Sequence, residues 1–145
     1  MLTQIVRYGW QSVVVTDAQR TLNAEFSIDS WDEVPYDEPD EGPKLTRVVI
    51  RKTYRGELEG TGTVEVLTAQ GRKGGGYVAS ERIRGTLDGK RGTFVIQHGG
   101  LADGDEQSVF GTVVPHSGTG ELSGLSGHAT EASQGVLTLV YSFES

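Results

Sequence analysis

The sequence predicts an all-β protein, an eight-stranded antiparallel barrel built as a meander. Three observations predict it. Leu22, Ala24, Phe26 and Ile28 alternate with Asn23, Glu25 and Ser27, which is the period of a half-buried strand. Most of the 21 glycines lie between or within short β-branched runs, beside only 4 prolines, as turns, bulges and strand bends require. No stretch carries a long apolar period of 3.6 residues with helix caps.

The elements follow in chain order. Residues 1–20 form an N-terminal extension of uncertain structure, in which Ile5 and Val13 to Val15 suit an extra strand or an oligomer contact. A single barrel domain is expected over 21–145, with its first strand at Leu22–Ile28. From Ser30 to Pro43 an acidic loop is expected, with Pro35 and Pro39 as breakers. Further strands are read at Lys44–Tyr54, Gly60–Ala69, Tyr77–Leu87, Thr93–His98, Gln107–Val114, Glu121–Thr130 and Val136–Phe143, with a turn at Gly71–Gly76. A closed meander of this kind has no free edges.

Asp88-Gly89 is a strong two-residue hairpin signal, and it fixes a register. Leu87 then faces Lys90, Ile83 faces Phe94, Glu81 faces Ile96 and Ala79 faces His98. One face carries Tyr77, Ala79, Glu81, Ile83, Phe94, Ile96 and His98. The other carries Ser80, Arg82, Arg84, Thr93, Val95 and Gln97, and its arginines assign it to solvent. A four-residue loop would shift the pairing and keep the faces. In either case one carboxylate and one imidazole stand on an otherwise apolar face. A carboxylate in such a place has a raised pKa unless it is paired, and an imidazole is a partner for it. Glu81 and His98 are therefore the candidate general acid and base. The competing reading is a buried structural hydrogen bond that holds strand register.

Composition excludes several classes. A net charge of -7 disfavours nucleic acid and anionic membranes as partners. Without cysteine there is no disulfide framework, thiolate metal site or cysteine nucleophile. No apolar run is long enough for a membrane helix and no signal peptide is read, so a cytoplasmic location is expected. His98, His116 and His128 lack the spacing of a zinc motif, and the acidic loop lacks that of an EF-hand. No metal and no cofactor is expected. Gly118-Thr119-Gly120 and Gly124 have neither the lysine nor the helix of a phosphate loop and suit a bent strand.

Several segments together resemble the bacterial domain-of-unknown-function family 3224. They are Asp29-Ser30-Trp31-Asp32-Glu33 with Pro35-Tyr36-Asp37-Glu38 and Gly42-Pro43-Lys44-Leu45-Thr46. Next come Glu81-Arg82, Gly85-Thr86-Leu87, Gly89 and Gly92-Thr93-Phe94-Val95-Ile96-Gln97-His98. The most recognisable is Val113-Val114-Pro115-His116-Ser117-Gly118-Thr119-Gly120-Glu121-Leu122, then Gly124-Leu125-Ser126-Gly127. The resemblance runs from about Thr21 to the C-terminus and implies a barrel similar to that of the allene oxide cyclases. It carries over no catalytic residues. The family pattern tends to have glycine where this chain has His116.

The expected function is that of a small-molecule-binding barrel, a cofactor-independent cyclase or isomerase of an apolar substrate. Glu81 and His98 would move the proton. Trp31, Tyr77, Phe94 and Tyr141 would shape the walls, with His116 a further candidate at the mouth. The alternatives are a carrier or sensor of a hydrophobic ligand without chemistry, and a filled structural barrel acting as a dimer.

Overall fold

The computed structural model describes residues 3–8 and 12–144. Strands β1 (Thr3–Tyr8) and β2 (Ser12–Asp17) pair as an antiparallel hairpin, a two-stranded sheet of its own. Ile5 and Val13 to Val15, expected to suit an extra strand, fall in it. Eight further strands follow: β3 (Arg20–Asp37), β4 (Lys44–Gly56), β5 (Leu58–Gln70), β6 (Gly74–Leu87), β7 (Lys90–Asp103), β8 (Glu106–Val113), β9 (Leu125–Ser133) and β10 (Val136–Phe143). All pair antiparallel with their chain neighbours, and β10 returns to β3, so the meander closes into a barrel.

The β6–β7 hairpin has the register that Asp88-Gly89 dictates: Leu87 opposite Lys90, Ile83 opposite Phe94, and Ala79 opposite His98. Asp88 and Gly89 have φ of 52° and 74°, the doubly left-handed turn whose twist matches the strands it joins.

Two elements depart from the sequence expectation. The acidic segment is mostly strand, because β3 continues to Asp37 and pairs with β4 over its whole upper half. Pro35 is tolerated there because β10 pairs with β3 only as far as Glu25, so the other edge of the strand needs no donor. A bulge between Ile28 and Ser30 adds one residue to β3. It moves the inward positions from Phe26 and Ile28 to Trp31 and Glu33, which lie opposite the inward Ile50 and Val48. The expected seventh strand begins instead as a 3-10 turn at Gly120–Leu122, with β9 starting at Leu125.

The inside of the barrel has two unlike halves. Near the end that carries the 3-10 turn it is packed by Leu22, Tyr54, Leu58, Ile83, Leu87, Phe94, Ile96, Leu139 and their neighbours, and Leu122 of that turn plugs it. Each such side chain contributes about 1.5–3 kcal/mol by leaving water. Towards the other end a smaller cluster, Val48, Ile50, Val64, Val66 and Ala79, lines the wall and leaves the axis empty. The filled-barrel expectation thus describes one half only.

Candidate functional site

The empty half is a cup of about 800 Å³. Its wall is apolar and aromatic: Phe26, Ile28, Val48, Ile50, Val64 and Val66, with Trp31, Tyr77 and Val109 towards the mouth. Among the described residues, β8 and β9 pair in register at Thr112–His128. Ile28, Trp31 and Val109 are all more than half exposed at the opening. Trp31 is held at the rim: its Nε1–H donates to Glu33 Oε1 at 3.2 Å. Glu33 Oε2 accepts from Thr46 and Gln70 at 2.9 and 2.7 Å. These hydrogen bonds, that from Gln70 foremost, hold the Glu33 carboxyl below its ordinary range.

At the boundary between packed and empty halves lies Glu81, only 3 % exposed. Three other strands, β4, β5 and β7, converge on it. Tyr54 Oη donates to its Oε2, and Lys52 Nζ stands 3.3 Å from its Oε1. His98 Nε2 is 3.6 Å from that same oxygen, just beyond hydrogen-bond reach, and is otherwise unpartnered. Gly62 makes the room: a Cβ there would strike Glu81 Oε2 and crowd the Tyr54 ring. Burial pushes the Glu81 carboxyl up, but His98, the Lys52 charge and the Tyr54 hydroxyl together outweigh it and hold the group below its ordinary value. Glu81 is thus paired and ionised. Burial, and then the Glu81 charge, pushes the Tyr54 phenol far above its usual range, so Tyr54 stays a donor.

Lys52 and His98 line the cup, whereas Glu81 lies behind them. Lys52 Nζ sits 4.4 Å above the centre of the Phe26 ring, so its stem and charge are held against an aromatic face. His98 meets the edge of the Tyr77 ring at 5.8 Å between centres. With Nε2 turned to Glu81, Nδ1 is the nitrogen left for the cup. The arrangement can stabilise an oxyanion through Lys52 and accept or return a proton through His98.

The structure brings Glu81, His98, Trp31 and Tyr77 to the cup. Phe94, fully buried, and Tyr141, 4 % exposed, belong to the packed half and do not reach it. Strand parity is right for both, but their positions along the barrel axis put them beyond Glu81. His116 lies in the turn after β8 with φ of +62°, also away from the cup. Glycine adopts that left-handed conformation without strain.

Two residues were missed. Lys52 and Tyr54 continue the inward alternation of Val48 and Ile50 on β4. A lysine at an inward position between apolar ones was the available signal.

Comparison with known proteins accords with this geometry. The family model described as "Protein of unknown function (DUF3224)" matches residues 22–144. The chain belongs to the DUF3224 family. A crystal structure of a DUF3224 protein of unknown function from Shewanella oneidensis MR-1 is similar, with 32 % identity and a TM-score of 0.71. The match covers 87 % of this chain and 96 % of that one. No curated protein matches the chain.

Proposed function

We propose that this DUF3224 chain takes an apolar small molecule into the cup and moves a proton on it, as an isomerase or cyclase that relies on its own side chains. One observation carries the reading. An ionised, buried carboxylate holds a lysine and an imidazole at the floor of a cavity whose wall is largely apolar. Keeping such charges out of water is costly, and residues of similar volume without charge would pack as well or better. The wall supplies affinity by desolvation and can hold a flexible substrate in one folded shape, a large part of the barrier for an intramolecular step.

A second reading, a carrier or sensor, is favoured by one specific feature. Both Glu81 oxygens are already engaged, by Tyr54 and Lys52, so the floor also suits recognition without turnover.

Titration with the neutral fluorescent dye N-phenyl-1-naphthylamine tests the cup that both readings share. Saturable binding of one dye per chain is expected, weakened by Val109→Trp, which narrows the mouth from an exposed position. Ile50→Trp, which fills the cavity, should weaken it as well. Absence of dye binding, or binding indifferent to both substitutions, would sink the proposal.

A further inference from the structure

We infer that the molecule entering the cup is an apolar carbonyl compound with an acidic C–H beside the carbonyl, and that it leads into the floor with its oxygen. The inference rests on the reading of the cup as a ligand site. Two features of the floor select this class.

The first is the placement of polar groups. The wall offers Val48, Ile50, Val64 and Val66, with Phe26 and Ile28, and none of these side chains has a hydrogen-bond partner for a ligand. The polar groups at the floor are Lys52, a donor, and His98, whose Nδ1 is left as an acceptor; both face the same Glu81 oxygen and so stand side by side. A molecule that fits is apolar along its length and polar at its leading end.

The second is charge. With a neutral imidazole, Lys52 and Glu81 cancel at the floor; of the other charged lining residues, Glu131 is negative and acts on Tyr54 and Tyr77, while Arg72 and Lys73 belong to the turn between β5 and β6. A ligand carboxylate would add an uncompensated negative charge beside a carboxylate already shielded from water, which electrostatics disfavours. A neutral carbonyl enters without that cost. Its α C–H bond then breaks, the proton passes to His98 Nδ1, and the electron pair moves through carbon to oxygen, giving an enolate. The enolate oxygen accepts from Lys52, and the new imidazolium faces Glu81 through Nε2. Positive and negative groups then alternate across the floor. Where a C=C adjoins the acidic carbon the enolate is a dienolate, and return of the proton to its far carbon gives the conjugated isomer. Attack of the enolate carbon on a second carbonyl of the same molecule forms a ring, and the resulting alkoxide takes the proton from His98. Neither outcome needs an oxidant or a second reactant. Glu81 touches no substrate here; it is a positioning residue that holds Lys52 and His98 and stabilises the charged imidazole.

Three probes test this on the full chain: 1-phenylbutane-1,3-dione, whose enolate and enol forms absorb differently, methyl 2-naphthyl ketone and naphthalene-2-carboxylate. The bound diketone should ionise at least about one pH unit lower than the free one. Lys52→Met should abolish that shift in a chain whose circular dichroism shows the folded barrel. The ketone should bind about tenfold more tightly than the carboxylate, a difference of about 1.4 kcal/mol. Deuterium uptake at its methyl group should slow at least about tenfold in His98→Gln. Glu81→Gln should alter the pH profile of that uptake. If the dye binds but the diketone stays a neutral enol, or the carboxylate binds more tightly, the carbonyl assignment is wrong and the cup survives. If the dye does not bind either, the cup reading itself fails and takes this inference with it.

Discussion

Replacing Glu81 by Gln removes the one negative charge on which Lys52 and His98 converge. Lys52 is only 13 % exposed, so its ammonium is left largely without water and without a counter-ion. Removing one partner of a buried pair typically costs 3–5 kcal/mol. Because Lys52 keeps some exposure and its contact with the Phe26 ring, the lower end, about 3 kcal/mol, is the expected loss. For a domain of this size that lowers Tm by roughly 10 °C. The loss should depend on pH. The folded-state carboxyl titrates below its ordinary value of 4.5, so its contribution is complete above that value and disappears as pH falls through the folded value. Thermal unfolding followed by circular dichroism at pH 7 and pH 3 reads both effects. The two proteins should differ widely at pH 7, and the gap should narrow as pH falls below 4.5. The double variant Lys52→Met with Glu81→Gln should recover much of the loss, since no unpaired charge remains. Equal Tm values at pH 7, or a gap unchanged at pH 3, would refute the reasoning.

Other substitutions separate the two halves of the barrel. Phe94→Ala should cost about 3–5 kcal/mol in a chemical denaturation curve, yet leave the affinity for N-phenyl-1-naphthylamine unchanged, because Phe94 lies in the packed half. Trp31→Ala should do the reverse, weakening the dye while shifting stability by less than about 1 kcal/mol, since Trp31 is 55 % exposed at the rim. Gly62→Ala should destabilise by about 1–3 kcal/mol through crowding of Glu81 and Tyr54; an unchanged denaturation midpoint would contradict the close approach. His116→Gly should raise stability by up to about 1 kcal/mol by relieving a left-handed backbone, with no effect on dye binding.

Much of the fold was legible because its signals are local. The alternation at Leu22–Ile28 and the Asp88-Gly89 turn each act within a few residues, and the turn alone was enough to bring Glu81 and His98 onto one face. What was not legible depends on position along the barrel axis. Phe94, Tyr141 and Glu81 all face inward, and strand parity cannot say which of them meet packed side chains and which meet space. The acidic segment misled because proline and carboxylates suit a loop equally well. Its extended state is decided by the free edge of β3 and by the bulge beyond Ile28, both properties of the assembled sheet. Lys52 went unnoticed because a lone lysine in a strand usually faces water, and only the strands carrying Glu81 and His98 give it a reason to face in.

Native mass spectrometry of the full chain, purified gently and mixed with methyl 2-naphthyl ketone, tests the central claim most directly. One ketone bound per wild-type chain, and none on the Ile50→Trp chain whose cup is filled, is the predicted result. A wild-type chain that stays bare at saturating ketone, or equal occupancy in both chains, would contradict the account of the open half as a ligand site.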